Sequence, residues 1–427
     1  MSVFTRSRAG KFLGGIAAVG VSALILAGCS STNGGGGTDD SDGPAEPMDE
    51  ISLKIGTALP QTGNLAFLGP PEEAGVAFAA AQINEVSEET GLDIEVVYGD
   101  SGDTDNKAYE TEIPRLLGED VSAVIGAASS GTSLQFIDQL VGAGVIQFSP
   151  ANTSDAFTTY EDNGLYFRTA PSDVLQGDVL GNLIAEDGNQ TLGMIVLNDS
   201  YGTGLARYVT EAFEAAGGEV VAAPTYNTGD TTFDAQISEV VAADPDAIAL
   251  ITFEEVATIL PSLLGEFPGE KLYFVDGNLS NFGEDLPEGS LTGAKGTLPG
   301  LSIDTLTDFT SELDAFLEEE GDDPLTEYSY AAESFDATVL LALASLAAAS
   351  NDPAAIAEKL IEVSGGSGEG EKCDTYAACA EIIVGGGVAD YDGISGPITF
   401  DEVGDPTEAS IGIYEYGEDN NYVAYEG

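Results

Sequence analysis

From residue 51 onward, short runs of β-branched and aliphatic residues alternate with stretches in which apolar positions recur every three or four residues. The runs at 52–59, 93–98, 123–126 and 145–148 predict strands, and the stretches at 72–86, 107–117 and 133–141 predict helices between them. The pattern then restarts with strands at 192–197, 219–222, 247–252 and 272–275, separated or followed by helices at 204–216, 233–242 and 257–267. Strands that alternate with helices imply parallel sheets with right-handed crossovers, and two such series imply two α/β lobes.

Beyond the second series, residues 328–349 are apolar almost all round, which predicts a helix buried between other elements but does not say in which lobe. Short strands are expected at 398–400, 412–416 and 422–425. The intervening Asp401-Glu402-Val403-Gly404-Asp405-Pro406 reads as a turn, because a calcium loop needs more regularly spaced oxygen ligands.

The first 50 residues have a different pattern. Arg6, Arg8 and Lys11 precede an apolar, glycine-containing stretch at 12–26 that ends in Leu26-Ala27-Gly28-Cys29. A charged start, an apolar middle and small residues at the end mark an export signal. The last four residues resemble a bacterial lipobox, so residues 1–28 are expected to be a lipoprotein signal peptide and Cys29 the lipid anchor. Residues 29–50, with four consecutive glycines at 34–37, bury too little apolar surface to order themselves and read as a flexible tether. The remaining cysteines, Cys373 and Cys379, lie six positions apart, and in an exported chain that spacing is expected to carry a disulfide.

Charge and composition then narrow the function classes. The chain has 74 acidic and 12 basic residues, a formal charge of −62, and no histidine. Nucleic acid and anionic headgroups need Lys/Arg clusters, so neither is an expected partner. Without His there can be no His-based catalytic triad and no HExxH zinc site, and no metal or cofactor is expected. An exported enzyme using a carboxylate pair, or a surface adhesin, stays open on composition alone.

Several segments of the body resemble one family. Ile55-Gly56-Thr57-Ala58-Leu59-Pro60-Gln61-Thr62-Gly63 is followed by Gly69-Pro70-Pro71 and Gly75-Val76, then Val124-Ile125-Gly126-Ala127-Ala128-Ser129-Ser130. Phe148-Ser149-Pro150-Ala151-Asn152-Thr153, Phe167-Arg168-Thr169-Ala170-Pro171-Ser172-Asp173, Asn198-Asp199-Ser200-Tyr201-Gly202 and Ala243-Asp244-Pro245-Asp246-Ala247 follow in order. Together they resemble type I periplasmic solute-binding proteins of ABC importers, the branched-chain amino acid (leucine/isoleucine/valine) family. The resemblance implies an α/β fold of two Rossmann-like lobes with parallel sheets joined by three hinge crossings. It implies a first lobe of 51–170 plus about 301–388, and a second of about 171–300 plus 389–427. It also implies a monomeric, non-enzymatic protein outside the cell membrane that closes on a small solute and presents it to a membrane permease. A lipoprotein that senses ligand for a membrane receptor is the alternative.

In an open α/β sheet, ligands collect beyond the carboxyl ends of the strands, where helix N-termini offer amide donors. The resemblance places carboxylate-binding groups at Ser130, at the Ala151 backbone and at Thr153, with Tyr201 covering the ligand from the opposite lobe. Asp276, ending the strand at 272–275, is the candidate anion for a ligand ammonium, where the family usually has Glu. Phe253 ends another second-lobe strand where a tyrosine is usual, and Phe67-Leu68 stand where relatives place an aromatic or polar group. An amide or small aromatic acid is therefore an alternative ligand. Arg168 reads as structural, held by acidic neighbours.

Overall fold

The computed structural model describes residues 50–425. The signal peptide, the lipid-anchor residue Cys29 and the tether up to residue 49 lie outside the described residues.

The chain builds the first sheet with β1 (Ile51–Ala58), α1 (Gly69–Glu85), α2 (Ser87–Thr90), β2 (Leu92–Val97), α3 (Tyr109–Gly118), β3 (Ala123–Gly126), α4 (Ser130–Ala143), β4 (Ile146–Ser149) and β5 (Tyr166–Arg168). It crosses to a second sheet through α5 (Asp173–Glu186), β6 (Thr191–Leu197), α6 (Ser200–Ala215), β7 (Glu219–Ala222) and β8 (Thr225–Tyr226). That series continues with α7 (Asp234–Ala242), β9 (Ala247–Ile251), α8 (Val256–Leu263), β10 (Leu272–Phe274) and β11 (Lys295–Pro299). The chain returns to the first lobe for α9 (Thr307–Glu320), α10 (Ala331–Ala348) and α11 (Pro353–Val363). There it also forms β12 (Glu371–Cys373), α12 (Tyr376–Val384), β13 (Ala389–Gly393) and β14 (Gly396–Pro397). A last crossing leads to β15 (Ile411–Tyr416) and β16 (Tyr422–Ala424).

The first sheet is parallel throughout, in the order β2-β1-β3-β4-β5. The second runs β16-β15-β11-β10-β9-β6-β7, with β8 on β6; it is parallel except where β15 returns beside β11 and β16 folds back on β15. Strands β3, β4 and β9 are buried at every position, as expected where helices cover both faces and apolar alternation is lost. The fold is thus the expected pair of α/β lobes with three crossings.

Helix α10 is apolar and long enough to cross a membrane, yet 89% of it is buried within the protein. It packs on α1 in the first-lobe core, in the same apolar cluster as Val76 and Ile83. A Cβ at Gly75 would lie 2.2 Å from the Ala331 carbonyl, so that packing requires glycine. Cys373 and Cys379 are bonded, with Cα atoms 5.4 Å apart.

Some elements differ from the sequence pattern. Helix α5 has no clean apolar period because Gly177 and Gly181 make room for α6; Cβ atoms there would lie 2.3 Å from Tyr208 Cβ and 2.7 Å from Ala212 Cβ. Residues 398–400 form no strand, and Phe400 makes only an isolated bridge to Pro406. Ala389, Tyr391, Ile398 and Phe400, expected in the second lobe, pack instead in the first-lobe core, so the third crossing follows the 401–406 turn.

Arg168 ties that turn to the first crossing. It is fully buried at the end of β5 and donates from Nε to Asp405 Oδ1 (2.6 Å) and from Nη2 to Asp405 Oδ2 (2.8 Å). Its Nη1 donates to the carbonyls of Asn152 and Ser154, and Nη2 also reaches Thr158 Oγ1. Burial disfavours the guanidinium charge, but the Asp405 bonds outweigh it and raise the pKa. Arg168→Ala, which strands a carboxylate and three loop acceptors, should destabilise the fold by about 3–5 kcal/mol in chemical denaturation. Arg168→Met with Asp405→Leu removes both charges and should cost less than the single change.

Candidate functional site

The carboxyl ends of the strands in the two sheets face each other. From the first lobe come the turn after β3 and the loop after β4; from the second come the start of α5, the turn after β6 and the ends of β9 and β10. Two helix N-termini, those of α4 and α6, approach closely here. A Cβ on Gly131 would sit 2.7 Å from Asp199 Oδ2, so glycine permits the approach.

Helix α4 starts three residues earlier than its apolar pattern because Ser129 caps it, Oγ accepting from the Thr132 amide at 3.3 Å. Capping therefore falls to Ser129 and not to Ser130, whose Oγ accepts from the Ser154 amide at 3.3 Å. Ser149 shapes the next loop: its hydroxyl donates to the Ala127 carbonyl (2.7 Å) and accepts from the Ala151 and Asn152 amides. Asn152 donates to the Ala127 and Ala128 carbonyls and accepts from Tyr166, so the two first-lobe loops are locked together.

Within this frame some buried polar atoms have no hydrogen-bond partner among the described residues. They include the hydroxyls of Thr132, Thr153 and Ser200 and both carboxylate oxygens of Asp173. Buried polar groups are ordinarily bonded, so a cluster of free ones needs an explanation. Asp173 follows the α5 cap Ser172, and its amide donates to the Thr153 carbonyl at 2.7 Å. Burial, and then the charge of Asp276, push its pKa well up; the Thr153 hydroxyl softens the shift without reaching hydrogen-bond geometry.

Asp276 is in a different condition. Its Oδ1 accepts from Tyr201 (2.7 Å) and Gln176 (3.0 Å), and its Oδ2 accepts from Tyr330 (2.8 Å). Burial raises its pKa, and those three donors oppose the rise. The residue expected to offer a free anion is thus already bonded by neutral donors, whereas Asp173 is not. Tyr201 lies over Phe253, with ring centroids 5.2 Å apart and planes 16° from parallel. Leu65 and Leu68, from the first-lobe loop before α1, pack with Ala128, Ala151, Tyr201, Phe253 and Tyr330, so one apolar cluster crosses the cleft.

All six expected site residues lie at these strand ends, loops and helix starts. Asp173, Tyr330, Gln176, Thr132 and Ser200 join them without having been singled out. Ser172-Asp173 carries a helix-start signal that could have drawn attention. Nothing local marks Tyr330, which is 54 positions from the carboxylate it bonds.

Residues 52–375 match the family model described as periplasmic binding protein. The chain belongs to the periplasmic binding protein family. Members of this family bind solutes and do not transform them, so the chain is not an enzyme. It is 32% identical over 190 residues to the leucine-, isoleucine-, valine-, threonine- and alanine-binding protein of Pseudomonas aeruginosa, an alignment covering 44% of this chain and half of that relative's length. It is 27% identical over 379 residues to Leu/Ile/Val-binding protein homolog 2 of Brucella abortus, covering 87% and 92% of the two chains. The branched-chain amino acid transporter substrate-binding protein LivJ of Streptococcus pneumoniae, solved with isoleucine, superposes with a TM-score of 0.67. It is 21% identical, over 88% of this chain and 99% of that one, and so shares the fold.

The titration of Asp173 gives a test of this periplasmic binding protein's cleft. Its folded pKa lies above the ordinary 3.8, so between those two values the folded state keeps a proton that the unfolded chain has released. Its contribution to stability therefore falls as pH rises through that window. Asp173→Asn should flatten this decline and raise the melting temperature of the ligand-free protein at alkaline pH, as measured by calorimetry from about pH 4 to about pH 9.

Proposed function

We propose that this protein is the extracytoplasmic solute-binding component of an ABC importer and that it captures an α-amino acid with an apolar side chain, leucine, isoleucine or valine. The observation that carries the reading is the set of unpartnered buried hydroxyls and the Asp173 carboxylate beside an apolar wall. A carboxylate is met by Ser130 and Thr153 and by the positive end of α4, with no basic side chain required. An ammonium is met by Asp173, with Asp276 behind it and the Ala151 loop as backbone frame. The side chain lies against Leu65, Leu68, Phe253 and the Tyr201 ring.

Solute binds the first lobe, here 51–170 with 301 to about 405, and the second lobe, 171–300 with the C-terminal strands, closes over it. Contacts made only in the closed state shift the population towards it. The closed monomer is what a membrane permease recognises. Export by residues 1–28, lipidation of Cys29 and the tether keep the binding body at the membrane surface near that permease.

A thermal-shift and calorimetric titration with L-leucine, L-isoleucine and L-valine tests this. At 100 times Kd each should stabilise the protein by about 2.7 kcal/mol. The double change Ser130→Ala/Thr153→Ala should weaken binding about 100-fold, the loss of two hydrogen bonds to a charged group. Unchanged affinity in the double variant overturns the carboxylate site. A response to amides or aromatic acids alone removes the ammonium assignment to Asp173.

A further inference from the structure

The loop between β1 and α1 is built as a strap. Asp100, from the loop after β2, accepts from the Gln61 and Thr62 amides and from the Thr62 hydroxyl, and Asp103 accepts from the Asn64 amide at 3.0 Å. Gly63, with φ +96°, turns the chain against Asp103, a conformation that disfavours any side chain. The strap is therefore fastened to the first lobe by its backbone, and the Asn64 side chain is left to reach across.

It reaches the turn that follows β9 in the second lobe. The Asn64 carbonyl accepts from the Glu254 amide at 3.3 Å, and Asn64 Nδ2 donates to Glu255 Oε1 at 3.2 Å. The other oxygen of Glu255 accepts from the Phe253 amide and the Tyr226 hydroxyl, both at 3.1 Å. One carboxylate thus holds the opposite lobe with one oxygen and fixes the residue beneath Tyr201 with the other. Tyr201 in turn bonds Asp276, which bonds Tyr330 back in the first lobe. The circuit leaves the first lobe at Asn64 and re-enters it at Tyr330.

We infer that Asn64 and Glu255 form a cross-cleft clasp that sets how long a bound solute is retained, with Asn64 a positioning residue that acts through Glu255 and Phe253. The inference rests on the proposed solute-binding role of the cleft. Both residues lie at the rim, where the clasp can form only once the lobes have met. It therefore slows release and leaves capture by the first lobe unaltered.

The test follows release of radiolabelled L-leucine into excess unlabelled leucine, together with the association rate. Asn64→Ala should speed release about tenfold, the loss of one hydrogen bond to a carboxylate, with the association rate unchanged. Asn64→Asp sets two carboxylates face to face and should speed release further. Adding Glu255→Gln to Asn64→Asp restores a donor and an acceptor with their roles exchanged, and should bring release back to within about threefold of the original. Release from Asn64→Asp at the original rate, or no recovery in the double variant, overturns the clasp. Should the unaltered protein fail to hold leucine, the leucine reading fails and the clasp is judged without ligand. Spin labels at Glu95→Cys and Glu239→Cys, exposed on opposite lobes, then report the interlobe distance. Asn64→Asp should widen it and the added Glu255→Gln should narrow it again; an unchanged distance overturns the clasp.

Discussion

The buried pair of Arg168 and Asp405 is the charged centre of a junction between distant parts of the chain, with the Arg168 amide on the Gly404 carbonyl and the Thr158 hydroxyl on Asp405 beside it. Arg168 closes the last strand of the first sheet, Asp405 sits in the turn before the last crossing, and the loop at 152–158 hangs on the remaining guanidinium protons. Taking a cation out of water is costly, and the geometry here meets that cost with a bidentate carboxylate and three further acceptors. The cation does not serve as an anion site, because its donors are committed to the frame. It stabilises the loop that carries Ala151 and Thr153 and fixes where the third crossing begins.

The cleft handles charge largely without countercharge. Asp276 is held by two phenols and an amide, and the loops after β3 and β4 are laced by hydroxyls and Asn152. In a chain of −62 formal charge, even a helix end can be claimed by an acid: Asp199 caps α6, accepting from the Gly202 amide at 2.7 Å, whereas α4 is capped by the neutral Ser129 and keeps its positive end. Asp173 is the exception that shows what the cleft lacks, since both its oxygens are buried and free. Its raised pKa joins folding to protonation in one residue beside Thr153.

The acidic composition bears on the lobes in a second way. Asp103 and Asp105 of the first lobe and Asp230, Glu254 and Glu255 of the second line one cavity of about 640 Å³ at the rim. Such groups repel one another less as salt screens them. The contacts that cross at this rim are hydrogen bonds from an amide side chain and from backbone, which form without a cation.

What could be read from the sequence was whatever depends on short-range pattern. The strands at 123–126 and 192–197, the two-fold series of lobes and the buried helix at 328–349 all follow from apolar periodicity, because covering helices leave parallel strands no polar face. Ser130, Thr153, Tyr201 and Phe253 became candidates through the family resemblance and because each follows soon after such a strand, Ser130 and Tyr201 in the first turn of the next helix. Tertiary structure decided what depends on which distant groups meet. It moved 389–400 into the first lobe, because Ile398 and Phe400 find their apolar partners there. It bonded Asp276 to Tyr330 and Gln176 and left Asp173 free, a reversal that no local pattern encodes. A carboxylate's role is set by the donors around it, and here those donors come from elements far apart in the chain.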